Sequence, residues 1–108
     1  VFLFEAFIPD IARYDRGQTV QVSVIEDRAV RLESSQIDPI RQQITSQTIQ
    51  LTEKGIRMAP VKLRYAWPTE MDLMAKLAGL ILRHRWANWH KDQLTEQDGQ
   101  HISLYGPA

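Results

Sequence analysis

The side chains best suited to chemistry in this sequence are aromatic and cationic, and they fall in two groups. Arg64, Tyr65 and Trp67 form the first, and Arg83, Arg85, Trp86 and Trp89 the second. A guanidinium beside an indole or phenol can stack on a ring or clamp a carboxylate or phosphate. The competing assignment is structural, with the tryptophans filling a core and the arginines lying along its rim.

The other reactive types are sparse. His84, His90 and His101 lack helical ligand spacing. His84 and His101 are expected to face each other across a terminal hairpin, but no carboxylate is placed to complete a metal site, so none is expected. Glu26-Asp27 and Glu70-Asp72 are explained by a turn and by the first turn of a helix. There is no cysteine, hence no disulfide, thiolate nucleophile or Cys-based zinc site. The glycines stand at 17, 55, 79, 99 and 106, too far apart for a dinucleotide fingerprint or a P-loop. Neither a G-x-S-x-G elbow nor H-E-x-x-H occurs. Catalytic residues are not identifiable from motifs of this kind.

Thirteen basic residues balance thirteen acidic ones over 108 residues, which gives no electrostatic case for nucleic acid or an anionic membrane. The longest apolar stretch, Leu77 to Leu82, is too short to cross a bilayer, and no basic lead precedes the apolar start. A soluble, cytoplasmic chain forming one domain is expected.

The elements that must position these residues read as α+β. Val1 to Phe4 resembles the middle of a strand covered on both faces, so the chain is expected to be part of something longer. Asp10 caps a short helix over Ile11 to Arg16, closed by Gly17. An antiparallel meander follows. Val20, Val22 and Val24 alternate, Glu26-Asp27 turns, and Val30 and Leu32 return. The next strand changes parity between Ile40 and Ile44 on one side and Ile49 and Leu51 on the other, which predicts a bulge between them. Glu53-Lys54-Gly55 turns into Ile56 to Trp67, where Pro60 implies an edge or a bulge. Pro68 and Glu70 start the one main helix and Gly79 ends it, with Leu73, Met74, Leu77 and Ala78 as its apolar stripe. Leu80 to Trp89 then reads as a strand with Leu80, Leu82, His84 and Trp86 on one face. A polar connection leads to a final strand, His101 to Tyr105, closing a C-terminal hairpin.

Five segments in this order carry a resemblance: Phe4 to Asp10, Asp15 to Gln18, Arg64-Tyr65-Ala66-Trp67-Pro68-Thr69-Glu70, Ala78-Gly79-Leu80, and His101-Ile102-Ser103-Leu104-Tyr105. The series resembles the C-terminal half of class I S-adenosylmethionine-dependent methyltransferases. Within that class it is most similar to small-molecule N-methyltransferases with an antiparallel insert after the fifth core strand. The resemblance implies that residues 1–17 are the fifth core strand and a short helix, that 18–67 are the auxiliary sheet, and that 68–108 are the helix and the sixth and seventh strands. The partial fold then lacks the first four core strands, and with them the glycine-rich turn and acidic ribose-binding residue of the methyl-donor site.

On the same basis S-adenosylmethionine is the cofactor of the parent enzyme and none is expected for this chain alone. The acceptor is a small molecule, and Glu5, Phe7, Arg64, Tyr65, Trp67, Arg85 and Trp86 are its expected contacts. Glu5 would accept a hydrogen bond from an amine or hydroxyl nucleophile; an ion pair or turn position is the structural alternative. A different class of function also remains open, a non-enzymatic α+β module for binding or self-association. Either way an apolar first strand without neighbours predicts a homo-oligomer, with that strand or the sheet edge near Pro60 at the interface.

Overall fold

A computed structural model describes residues 1–108. The strands are β1 (Phe2–Phe7), β2 (Gln18–Glu26), β3 (Ala29–Asp38), β4 (Gln43–Thr52), β5 (Gly55–Arg64), β6 (Leu80–Trp86) and β7 (Gln100–Pro107), with one helix, α1 (Pro68–Leu77). The fold is therefore α+β and mostly antiparallel, and the chain divides into two compact units. One comprises Val1–Asp10 with Ala66–Ala108, the other Ile11–Tyr65.

The second unit is a four-stranded meander in the order β2-β3-β4-β5. Its edge strand β5 accommodates Pro60, which pairs with Gln47 without any bulge. The bulge expected in β4 is absent there. β4 runs in continuous register with both neighbours, and the irregularity lies instead in β2 between Val22 and Val24. The parity change in β4 is real, but it serves two faces. Ile44 aligns with Ile37 and Leu63 and is buried. Ile49 aligns with Leu32 and Met58 on the other face, and Leu51 with Val30 and Ile56. Each half of the strand thus presents its apolar side chains to a different side. Ile40 belongs to the turn before β4, where the Asp38 carboxylate accepts hydrogen bonds from the backbone of Ile40 and Arg41.

A hydroxyl chain stabilises the buried face of this unit. Tyr14 Oη lies 2.8 Å from Ser35 Oγ, which lies 2.9 Å from Ser46 Oγ on the neighbouring strand. Tyr14 follows a single 3₁₀ turn at Ile11–Arg13, shorter than the helix expected, and Gly17 takes φ of +81° to enter β2.

The first unit holds a three-stranded sheet in the order β1-β7-β6, all antiparallel neighbours, with α1 beside β6. The first strand is therefore an antiparallel edge here, with Phe2 and Leu3 about half exposed. The helix starts where Trp67 donates its backbone N–H to Glu70 Oε1, with Pro68 at the first helical position. It ends at Gly79, whose φ of +81° suits the left-handed position after a helix.

The single alternation expected along β6 does not hold. A bulge between Leu82 and His84 places Leu82 beside Tyr105 but His84 beside Leu104, on opposite faces. His84 and His101 therefore do not face each other, because β7 also alternates between them. β6 ends at Trp86, and Ala87 donates its backbone N–H to the Asp92 carbonyl of the following loop at 2.9 Å, which is why the strand stops short of Trp89.

Candidate functional site

The two faces of the three-stranded sheet carry different chemistry. Pairing sets Phe4 beside Ser103 and Ser103 beside Arg85, so these share the face toward α1 with His101 and Tyr105. Glu5, Ile102 and Trp86 form a row on the other face, with Phe7 two positions along from Glu5.

On the α1 face Arg85 is the hub of a polar network. Its Nη2 donates to Asp72 Oδ1 at 2.6 Å and its Nη1 to Asp72 Oδ2 at 3.2 Å, a two-pronged pair between helix and strand. Nη2 also reaches the Pro68 carbonyl at 3.3 Å and Tyr105 Oη at 3.1 Å, while Nε donates to Ser103 Oγ at 2.9 Å. Tyr105 in turn donates its hydroxyl to Asp72 Oδ1 at 2.7 Å. Beyond Ser103 lies His101, with Nδ1 2.8 Å from Ser103 Oγ. His101 and Ser103 are completely buried and Tyr105 nearly so.

The charges follow from this geometry. Burial alone would raise the Asp72 carboxyl, but the hydrogen bonds from Arg85 and Tyr105 outweigh it and hold the group below its ordinary range. Burial and the neighbouring Arg85 cation lower His101, so it is held neutral. Burial together with the Asp72 carboxylate raises the Tyr105 phenol. One ion pair and two neutral groups result, a stable way to keep polar atoms inside.

On the opposite face Ile102 is completely buried in the middle of the row, while Glu5 and Phe7 stay exposed on the edge strand. Glu5 Oε2 accepts a 3.0 Å hydrogen bond from Trp89 Nε1, joining β1 to the loop after β6. Trp86 is half-buried and stacks on His84 with ring centroids 5.2 Å apart, and Lys91 Nζ lies 5.5 Å from the Trp86 ring centre. A carboxylate bonded to one indole, on a face that also carries a second indole with an ammonium over it, can bind a small polar ring or amine.

The expected contacts therefore divide. Glu5, Phe7 and Trp86 share one face of one sheet. Arg85 lies on the opposite face with its donors engaged. Arg64 ends β5 opposite Gln43, and the adjacent Tyr65 is buried, its backbone N–H bonded to Gln42 O at 2.9 Å; both belong to the other compact unit. Trp67 opens the helix. The expectation of core tryptophans and rim arginines is reversed at this point, since Arg85 is enclosed while Trp89 is mostly exposed. Sequence reasoning passed over Asp72, His101, Ser103 and Tyr105 as a unit. The signal was present in the alternation of His101, Ser103 and Tyr105, three polar-tipped residues on one strand face opposite a lone Arg. No group of three or more His, Cys, Asp or Glu is gathered as for a metal ion.

No protein-family model matches the sequence, and no curated protein matches it. Solved structures do. The CcbJ methyltransferase from Streptomyces caelestis superposes with a TM-score of 0.89 at 39% identity, over 99% of this chain and 46% of that one. An S-adenosylmethionine-dependent methyltransferase from Clostridium acetobutylicum ATCC 824 superposes with a TM-score of 0.74 at 9% identity, over 99% of this chain and 44% of that one. The second likeness shows the fold alone. The chain spans less than half the length of the methyltransferases it matches, and its fold is that of the corresponding part of them.

Proposed function

We propose that this chain is the C-terminal, acceptor-side portion of a class I S-adenosylmethionine-dependent methyltransferase that acts on a small molecule. The observation that carries the reading is the likeness to CcbJ, which runs over 99% of this chain at 39% identity and takes up only 46% of that chain. The glycines of this sequence lie too far apart to form a donor-binding turn, so the donor site is assigned to residues outside the chain, and the isolated chain is inactive.

When bound, S-adenosylmethionine supplies a methyl group already activated on a sulfonium, so the protein's task is alignment and exclusion of water. Glu5 accepts a hydrogen bond from the nucleophile's N–H or O–H through the oxygen that Trp89 leaves open. Trp89 fixes the carboxylate's angle. Phe7 and Trp86 flank it on the same face and give the acceptor an apolar wall. Arg85 acts through Asp72, Ser103 and Tyr105, as a positioning residue that holds β6, β7 and α1 in register.

A second reading, a self-associating α+β module, is favoured by one observation. Ile25, Val30, Leu51 and Ile56 align across the meander, as do Val22, Leu32, Ile49 and Met58, and Val20, Ile25 and Ile56 are 66 to 77% exposed. Both readings include a homo-oligomer. The gene distinguishes them: coding sequence ahead of Val1 with a glycine-rich strand-to-helix turn, and methyl transfer by its full product from labelled S-adenosylmethionine, support the enzyme. A start codon at Val1 and no methyl transfer refute it.

A further inference from the structure

The polar network ends in an unmade hydrogen bond. His101 Nε2 is buried and has no partner, while every other polar side-chain atom in the network that is equally enclosed has one. An orphaned buried donor or acceptor loses its hydration with nothing in return, so such an atom needs an explanation.

The network decides which kind of atom it is. Arg85 has only donors, so Ser103 Oγ accepts from Nε and its own hydroxyl proton is free to point elsewhere. The one other polar atom within reach of that hydroxyl is His101 Nδ1, at 2.8 Å. If Nδ1 accepts, the imidazole proton sits on Nε2 and a single bond is left unmade. If Nδ1 instead carried the proton, the Ser103 hydroxyl would be orphaned as well. The first arrangement leaves fewer buried groups unsatisfied. Burial next to the Arg85 cation keeps the ring from taking a second proton. The ring is also held sideways by Phe4, packed edge-on with centroids 5.8 Å apart, so it cannot turn freely to look for another partner.

We infer that the chain Asp72–Arg85–Ser103 fixes His101 as the Nε2–H tautomer and that this N–H is the donor of a buried site for one uncharged oxygen acceptor, a water or a carbonyl. The acceptor is uncharged because Asp72 already neutralises Arg85, so an anion placed there would be desolvated without a counter-charge. The site lies on the α1 face, away from Glu5 and Trp89, and does not depend on the methyltransferase reading.

The test is nitrogen-15 NMR of histidine-labelled protein, joined to a crystal structure that resolves ordered water. Wild-type His101 is expected as a single Nε2–H tautomer, neutral at neutral pH. Ser103→Ala is expected to lose that single form and populate both tautomers; Ser103→Thr, which keeps the hydroxyl, is expected to retain it. An acceptor oxygen within hydrogen-bond distance of Nε2 is expected in the crystal. An isolated water peak assigns the source as solvent, and a peptide oxygen assigns it as covering polypeptide. A wild-type Nδ1–H tautomer, an imidazolium at neutral pH, or an Nε2 with no acceptor beside it would overturn the inference. The wild-type spectrum and density carry the test even if the variants do not fold.

Discussion

Replacing Arg85 by Met removes the hub of the buried network and leaves Asp72, Ser103 and Tyr105 short of donors. The lost bonds include both prongs to the Asp72 carboxylate and the one to Ser103 Oγ. Breaking one partner of a buried ion pair costs about 3–5 kcal/mol. Here the two side chains are 14 and 28% exposed, so some water reaches the stranded carboxylate and the low end, about 3 kcal/mol, applies. In a domain of this size that lowers Tm by roughly 12–24 °C. Arg85→Met with Asp72→Leu removes both charges together and is expected to recover most of the loss, ending within about 1–2 kcal/mol of wild type. Urea unfolding followed by circular dichroism, in a double-mutant cycle, measures each figure. The Asp72 contribution is complete above the unfolded carboxyl value of 3.8 and disappears as pH falls through the lower folded value, so the wild-type advantage persists at mildly acid pH. A loss below about 1 kcal/mol for Arg85→Met, or a double variant as unstable as the two single losses added, would refute the reasoning.

The folded-state value of His101 lies below 6.5, so its contribution is full above pH 6.5 and is lost on acidification, whereas Tyr105, raised above 10.0, destabilises the fold as pH rises past 10; unfolding midpoints against pH, compared with His101→Gln and Tyr105→Phe, check both signs. Gly79→Ala forces a Cβ into φ of +81° with open space around it, so backbone strain alone acts and costs about 1–2 kcal/mol by thermal melting. On the proposed function, Glu5→Gln in the full gene product weakens a hydrogen bond to a charged group and is expected to lower methyl transfer about 10- to 100-fold, read by product formation. Sedimentation is expected to find a homo-oligomer that Leu3→Asp, on the half-exposed first strand, shifts toward monomer; a folded wild-type monomer contradicts this.

Period-two alternation, turn residues and helix signals were enough to place most elements. Pro60 marked an edge strand because a missing N–H is harmless there, and Pro68 and Gly79 bracketed the helix because their backbone preferences match its ends. Bulges were less legible. The bulges at Val22–Val24 and Leu82–His84 insert one residue without any Gly or Pro to announce it, so β6 changed face unseen. In β4 an apolar parity change reflected two differently used faces in an unbroken strand. Strand parity put Glu5 and Phe7 on one side of β1, but that Trp86 shares their face and Arg85 does not depends on the β6 bulge. Of the buried network, the alternation of His101, Ser103 and Tyr105 along β7 was legible, but the bonds from Arg85 to Asp72 and Ser103 depend on how the helix and β6 are set against β7, which composition and spacing do not encode.

The proposed division of labour between this chain and a donor-binding half is tested most directly by calorimetric titration of S-adenosylmethionine into the 108-residue chain, with dispersed NMR signals as the control that it is folded. The account predicts no binding at micromolar concentrations by the folded chain, and binding by the full product of a gene that extends upstream of Val1. Micromolar binding to the folded chain alone would contradict it.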